Sequence, residues 1–424
     1  MQLLLLSAYL IVTIIRFGLD WINIRHRQKG RQALPDAFAG QIDEERLDHS
    51  DAYALAGDRV GFVEDLLGVV LTLAFLFGGI LPWYDRWVAG YTDSFIVSGL
   101  LFFGLLALVQ LLIGLPFSLY KNFVLEERFG FNRMSLKLWC ADLLKSLGIG
   151  SVLFILLVGG ALALVQATPQ SWWLWVWGFW VVVSLFLLYL SPYVIEPLFF
   201  KFTPLAKADL EIEVRNLLEK AGAHAGKVLQ VDASRRSGHS NAYFTGIGKV
   251  KRVVLFDTLM EQLDNKELLA VLAHELGHWR CGHLRQQLIK SQMMALLLCW
   301  LSFTLLNSQI LPGWLGLEQL SFAGQVLVLG WVGSLLGFFW TPLGSWWSRR
   351  HERQADQFAI NMVGSGQELA SGLVKLAREN LSNLFPHPLY AAVYYSHPPL
   401  VERVLWLQKG EVDAVSLRKF AADQ

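Results

Sequence analysis

His274 and His278 stand four residues apart, and Glu275 directly follows the first. On an α-helix, residues four apart project from nearly one face, so both imidazoles can turn to a single metal ion. The Glu275 carboxylate then reaches water held beside that ion. This H-E-x-x-H pattern is the chemistry of a zinc peptidase, and it needs a helix to carry it. Asp264-Asn265-Lys266-Glu267 reads as the start of one, with Asp264 and Glu267 as a capping-box pair. The apolar run 268–273 carries that helix into the motif.

Two histidines leave a catalytic zinc site short of a third protein ligand, with one position kept for water. His283, His351, Glu352, Asp356 and His397 are the candidates. On a continuous helix His283 falls about 180° from His274, which makes it a surface residue or one that supports a ligand. Glu352 and Asp356 share a helical face. Glu352 can bind zinc there while Asp356 orients a histidine ring; a solvated, charged helix end is the plainer alternative.

These residues must be positioned by a chain made for lipid. Of 424 residues 54% are hydrophobic and 17% charged, against about 25% charged in soluble domains. A net charge of +1 gives no reason to propose nucleic acid as a partner. The three cysteines, Cys140, Cys281 and Cys299, form no CxxC pair, so zinc must come from His and carboxylate ligands. The first apolar segment lacks a basic start and a small-residue cleavage site, and is read as a retained helix.

Seven stretches reach the length a bilayer needs: 3–22, 60–83, 95–119, 143–165, 172–191, 288–307 and 322–343. Six Lys/Arg lie between 25 and 59 and four between 121 and 137, whereas 84–94 holds only Arg86 and 166–171 and 308–321 hold none. The positive-inside rule places the N-terminus outside and the C-terminus in the cytoplasm. Residues 192–287 and 349–424 then share the cytoplasmic side and can build one site. This gives four parts: spans one to five in 1–191, an α+β portion with the zinc helix in 192–287, spans six and seven in 288–348, and a completing portion in 349–424. In the polar stretch 209–221 reads as an amphipathic helix, and 228–231, 241–245 and 253–256 as strands, with Gly246, Gly248 and Lys249 in a turn. Residues 35–50 are expected to form a mobile loop. Arg16, Asp20, Asp142 and Lys145 sit in or beside spans, facing either an interior or the headgroups; Glu64 and Asp65 are expected at the interface.

The chain resembles the integral-membrane gluzincins known as type I CAAX prenyl endopeptidases. The resemblance covers nearly the whole length. It rests on Asn132 within Glu126–Arg133 (EERFGFNR), on Ser240-Asn241-Ala242-Tyr243-Phe244, on His274–Trp279, on Glu352 to Asp356, and on Ser396-His397-Pro398-Pro399-Leu400 with Glu402-Arg403. It implies a mainly α, polytopic membrane protein. Seven transmembrane helices would form a barrel around a water-filled chamber, with a small cytoplasmic α+β catalytic portion. It implies Glu352 as third zinc ligand, Asp356 as its supporting partner, His397 and Arg403 in the site, and Asn241 on substrate or water. One Zn2+ per chain, polypeptide substrates (prenylated or membrane-associated) and the lipid bilayer are the expected partners. The sequence has neither a long extracytoplasmic insertion nor a dilysine tail, ending Phe420-Ala421-Ala422-Asp423-Gln424. That points to a bacterial inner-membrane homologue.

In the implied mechanism, zinc held by His274, His278 and Glu352 lowers the pKa of water toward neutrality. Glu275 takes the proton and returns it to the leaving amine. His397 helps stabilise the oxyanion, Asn241 holds an extended substrate by strand addition, and Arg403 either steers a carboxylate or pairs with Asp356 or Glu402. Site-2-type proteases share the motif but draw a carboxylate from Asp-Gly, a dipeptide missing here. A non-catalytic metal-binding transporter or scaffold is the alternative of another class; Glu275 argues against it, because holding a metal does not require that residue. Tail processing and quality control of membrane proteins are both open.

Overall fold

A computed structural model describes residues 1–29, 34–38, 40–245, 250–308 and 310–409. The expected turn at Gly246, Gly248 and Lys249 and the tail Phe420 to Gln424 lie outside the described residues.

Five long helices open the chain: α1 (Gln2–Lys29), α2 (Glu44–Phe77), α3 (Phe95–Arg128), α4 (Leu136–Ala167) and α5 (Trp172–Phe199). A polar portion follows, built from β1 (Phe202–Pro204), α6 (Ala208–Lys220), β2 (His224–Val231), β3 (Ala242–Thr245), β4 (Val250–Phe256) and α7 (Asn265–Arg280). Then come α8 (His283–Asn307), α9 (Phe322–Val363), α10 (Gln367–Glu379), α11 (Pro388–Tyr394) and α12 (Leu400–Lys409). Seven helices, α1 to α5 with α8 and α9, are long and apolar enough to cross a membrane.

The seven contact one another as a closed ring, each touching the next in sequence and α9 returning to α1. In six of them the most apolar window is at most 11% buried, and in α9 it is 28%. A solid bundle would hide one face of every helix by ridge-into-groove packing. Ring order with so little buried describes a barrel around an open interior. Two apolar clusters close the end away from the motif helix. One joins Leu81, Tyr84 and Phe102 to Leu320 and Val328, and the other joins Trp172 to Leu306 and Leu311. There Ser321, the N-cap of α9, donates its backbone N–H to buried Asp85 at 2.8 Å.

The other end carries the α+β portion. Its sheet has the order β1-β2-β4-β3, with β2 and β4 parallel and the outer pairs antiparallel. One core binds sheet and helices: Val253 and Leu255 from β4, Leu210, Val214 and Leu218 from α6, Leu268, Leu272 and Leu276 from α7, Ala359 from α9, and Leu369, Val374 and Val404. Residues on both sides of α8 and α9 in the sequence thus meet in a single apolar interior. The boundaries 191/192, 287/288 and 348/349 each fall inside a helix that runs through.

Several expectations need correction. Residues 44–50 are not a loop: the Asp43 side chain accepts Arg46 N–H at 2.8 Å, Glu44 and Glu45 suit the helix N-terminus, and α2 starts there. That helix stops at Gly78, short of 83, because Gly79 takes φ +82° and a separate short helix, Ile80–Ala89, follows. α3 and α5 outrun their expected ends by passing through single π-turns at Lys121–Leu125 and Ser191–Ile195. α9 continues 20 residues past 343 despite Pro342, and ends only at Gly364 with φ +86°. Several charged groups in or beside the spans are paired: Arg16 with Asp65 at 3.9 Å, Lys121 with Glu64, and Asp142 with Lys145 and Arg236.

Candidate active site

The capping box at Asp264 and Glu267 is present, each side chain bonding the other's backbone N–H at 3.0 Å. It starts α7 so that Leu268, Leu272 and Leu276 enter the core and the opposite side presents His274 and His278. Gly277 is where α7 crosses α9. A Cβ there would lie 2.8 Å from Ala355 Cα and 3.0 Å from its carbonyl oxygen. Only a residue without a side chain lets the two helices approach this closely, and the approach brings Glu352 to the histidines.

His274 Nε2 and His278 Nε2 are 3.2 Å apart; Glu352 Oε2 is 3.3 Å from the first and Oε1 3.3 Å from the second. One ligand atom from each of the three residues lies within 4.8 Å of the others. Two imidazole nitrogens and a carboxylate form the donor set of catalytic metal sites. Glu352 Oε2 is a buried carboxylate oxygen that faces His274 Nε2 at 3.3 Å and the Arg403 guanidinium at 3.5 Å without a well-aligned hydrogen bond, which leaves it able to take a cation. Burial and the Arg403 guanidinium push His274 toward neutrality. Hydrogen bonds to Asp356 and Glu352 outweigh them and lift it to about 9, which reflects the negative charge gathered at this point. The residues present therefore fit a metal ion.

Around this trio, His274 Nδ1 meets Asp356 Oδ1 at 2.7 Å. Buried Arg403 clamps Asp356 through Nε at 2.8 Å and Nη2 at 2.5 Å, and sits 3.5 Å from Glu352. Of its two possible carboxylates it takes Asp356; Glu402 pairs with Arg353 at 3.0 Å. Glu275 is half-buried, and burial raises its carboxyl above the ordinary range. His397 stands at the open side, 61% exposed, its Nε2 3.3 Å from Glu352 Oε1.

Asn241 is exposed just ahead of β3, and its carbonyl accepts Phe256 N–H at 3.1 Å. β3 is an edge strand beside α7, and its outer side pairs with no strand among the described residues. The lead into β3 is clipped to the turn after α3: Asn132 bridges Ser237, Gly238 N–H donates to Phe131 O at 3.0 Å, and His239 stacks on Phe131 at 4.3 Å. His239 also meets Glu126 at 3.4 Å and Asn380 at 3.0 Å.

Sequence reasoning misjudged His283. α7 ends at Arg280, Gly282 takes φ +69°, and a new helix begins, so the 180° argument for an unbroken helix does not apply. His283 is 4% exposed and touches His278; the surface alternative drops out. Ser345 and Arg349 were missed altogether. They bind the carbonyls of Val393 at 2.7 Å, and of Ala391 at 3.0 Å and Tyr395 at 2.7 Å, bracing the loop that bears His397. No motif marks them; only their place one and two turns before Glu352 on the same helix does.

Fold and site together define a multi-pass membrane metallopeptidase of the H-E-x-x-H type. Residues 23–201 match the family described as CAAX prenyl protease N-terminal, five membrane helices, and residues 204–411 match peptidase family M48. The Arabidopsis thaliana CAAX prenyl protease 1 homolog is 36% identical, the match covering 88% of this chain and 89% of that protein. CAAX prenyl protease 1 of Saccharomyces cerevisiae is 33% identical over 92% of each. The crystal structure of S. mikatae Ste24p superposes with a TM-score of 0.86 at 30% identity, covering 94% of this chain and 97% of the other. The chain belongs to the CAAX prenyl protease 1 family within peptidase family M48. It is a membrane metalloendopeptidase acting on peptide substrates, and the transporter or scaffold reading is not favoured.

Proposed function

We propose that this protein is a zinc endopeptidase that cuts CAAX-type C-terminal tails, prenylated ones among them, at a site on the cytoplasmic side of the barrel. The observation that carries the reading is the convergence of His274, His278 and Glu352, one ligand atom of each lying within 4.8 Å of the others. Those three residues would hold one zinc ion, which when bound polarises the scissile carbonyl and acidifies water. Asp356, fixed by Arg403, accepts the hydrogen bond of His274 Nδ1–H and leaves the Nε2 lone pair to ligate. Glu275 accepts the proton of the attacking water and hands it to the leaving amine; its raised pKa brings it nearer the pH at which it works. His397, braced by Ser345 and Arg349, donates to the carbonyl oxygen as negative charge develops. Asn241 and the free edge of β3 hold the substrate extended.

The basic connections between α1 and α2 and between α3 and α4 support a cytoplasmic site and C-terminus, with the N-terminus outside. The short connections at the opposite face suit a bacterial inner membrane. The four functional parts drawn at 191/192, 287/288 and 348/349 follow from the same topology.

The test is hydrolysis by the purified protein of a prenylated CAAX peptide and of an unmodified peptide, with and without chelator. Chelator-sensitive cleavage restored by zinc is expected, with the prenylated peptide favoured. Equal cleavage of both would favour quality control of membrane proteins, and no chelator-sensitive cleavage of either would end the proposal.

A further inference from the structure

His278 lacks what His274 has. The Nδ1 of His274 faces the Asp356 carboxylate, whereas no carboxylate meets the Nδ1 of His278 among the described residues. Its partner is His283 Nδ1, at 3.0 Å. Two imidazole nitrogens can share a hydrogen bond only if one carries the proton and the other a lone pair. The far nitrogen of His283, Nε2, lies 2.9 Å from Gln354 Oε1. An amide oxygen only accepts, so Nε2 of His283 carries its proton and Nδ1 is the acceptor. The proton between the two rings then belongs to His278 Nδ1, and His278 Nε2 keeps its lone pair on the side facing His274 and Glu352. The opposite arrangement would put a proton on the nitrogen that has to ligate.

The relay is held rigidly. His283 is 4% exposed and stacks on His351 with centroids 4.0 Å apart and planes 6° off parallel. His351 accepts Trp347 Nε1–H at 2.7 Å. The break at Gly282 is what turns His283 back toward the site, and Gln354 lies two residues beyond Glu352 on α9. The ligands therefore come from α7 and α9, and the support from α8 and α9.

We infer that His283 is a positioning residue: with Gln354 as its anchor, it accepts the Nδ1 proton of His278 and so fixes the tautomer and ring angle in which His278 faces the metal. The inference rests on the reading of His278 as a zinc ligand. The two histidine ligands are consequently supported differently, one by a carboxylate and one by a neutral acceptor. A neutral acceptor makes His278 the less electron-rich ligand of the pair.

The experiment measures zinc affinity of the purified full chain by competition with a chromogenic chelator, with the visible spectrum of the cobalt-substituted protein as second readout. His283→Ala should lower zinc affinity about 10- to 100-fold and shift the cobalt bands. His283→Asn, which offers a carbonyl oxygen near the place of Nδ1, should stay within a few-fold of wild type. Gln354→Leu should weaken binding, whereas Gln354→Glu, still an acceptor, should not. Wild-type affinity and an unchanged cobalt spectrum in His283→Ala would overturn the inference. So would a folded His283→Asn as defective as the alanine variant, since packing rather than proton acceptance would then be at stake. If His283→Ala fails to fold, Gln354→Leu takes its place: wild-type zinc affinity and an unchanged cobalt spectrum in that variant, or a folded His283→Asn that loses about tenfold or more in affinity, would overturn the inference. A wild-type chain that binds no zinc would instead refute the metal-site reading.

Discussion

Replacing Gly277 with alanine separates two effects that usually travel together. The new methyl would lie 2.8 Å from Ala355 Cα, where ordinary contact begins at 3.4 Å, so α7 and α9 must part by 3.4 − 2.8 = 0.6 Å. The obstructing atoms are Ala355 Cα and carbonyl oxygen and, at 3.1 Å, Phe358 Cβ, none of which a rotamer change moves. Overpacking of this kind costs about 1–3 kcal/mol. Alanine in a helix interior returns about 1 kcal/mol relative to glycine. The net loss of stability is therefore small, about 0–2 kcal/mol. Metal geometry is far less forgiving, because ligand distances tolerate only about 0.2 Å. His274 and His278 ride on one helix and Glu352 on the other, three residues before Ala355, so the separation opens the ligand set directly. Zinc affinity should fall by at least about tenfold while the thermal midpoint drops by only a few degrees. Chelator competition and thermal unfolding on the same sample read both. Wild-type zinc affinity in a folded Gly277→Ala protein would refute the argument that this crossing sets the ligand distances.

Further outcomes follow from the same geometry. Glu275→Gln should bind zinc normally and lose about 10²- to 10⁴-fold in kcat; substantial turnover by the zinc-refilled variant would remove Glu275 as the base. Glu352→Ala should show reduced metal content by elemental analysis, and an unchanged stoichiometry would move the third ligand elsewhere. The hydrogen bond that His239 donates to the Glu126 carboxylate outweighs burial and raises His239 above its ordinary 6.5. The folded state thus favours the protonated ring: its stabilisation is complete below about 6.5 and is lost as pH rises through the higher folded value. Hydrogen exchange in 236–245, corrected for intrinsic rates, should quicken from about pH 6 to about pH 8, and His239→Gln should abolish that trend.

Chemistry in this chain was easier to read than architecture. The spacing of His274, Glu275 and His278 and the capping pair before them are local, and local patterns survive folding unchanged. The middles of the seven spans were equally plain, because lipid demands unbroken apolar runs. Their ends were not. Hydropathy falls where the bilayer stops, yet α2 begins among Glu44, Glu45 and Arg46, and α9 passes through a run of arginines without a break. Two glycines hid one fact each. Gly277 looked like any residue between ligands but sets the helix approach, and Gly282, outside the motif, re-aims His283. The partners of Arg403, and the brace of Ser345 and Arg349 on the His397 loop, depend on contacts across more than forty residues that no spacing encodes.

The unbroken course of α9 makes the length of this chain as constrained as its chemistry. Ser321 is tethered to Asp85 at one end and Glu352 reaches the histidines at the other, about 45 Å along a helix rising 1.5 Å per residue. One residue gained or lost between them would swing the Glu352 carboxylate by about 100° around the helix axis, away from its partners. Even a full extra turn would restore the heading only by pushing one tether off its mark. Substitutions along this rod can be absorbed by lipid on one flank and the open interior on the other, but insertions and deletions cannot. Changes of length are therefore expected to be tolerated only in the connecting segments, and the rod itself serves as a fixed gauge between the closed end of the barrel and the candidate metal site.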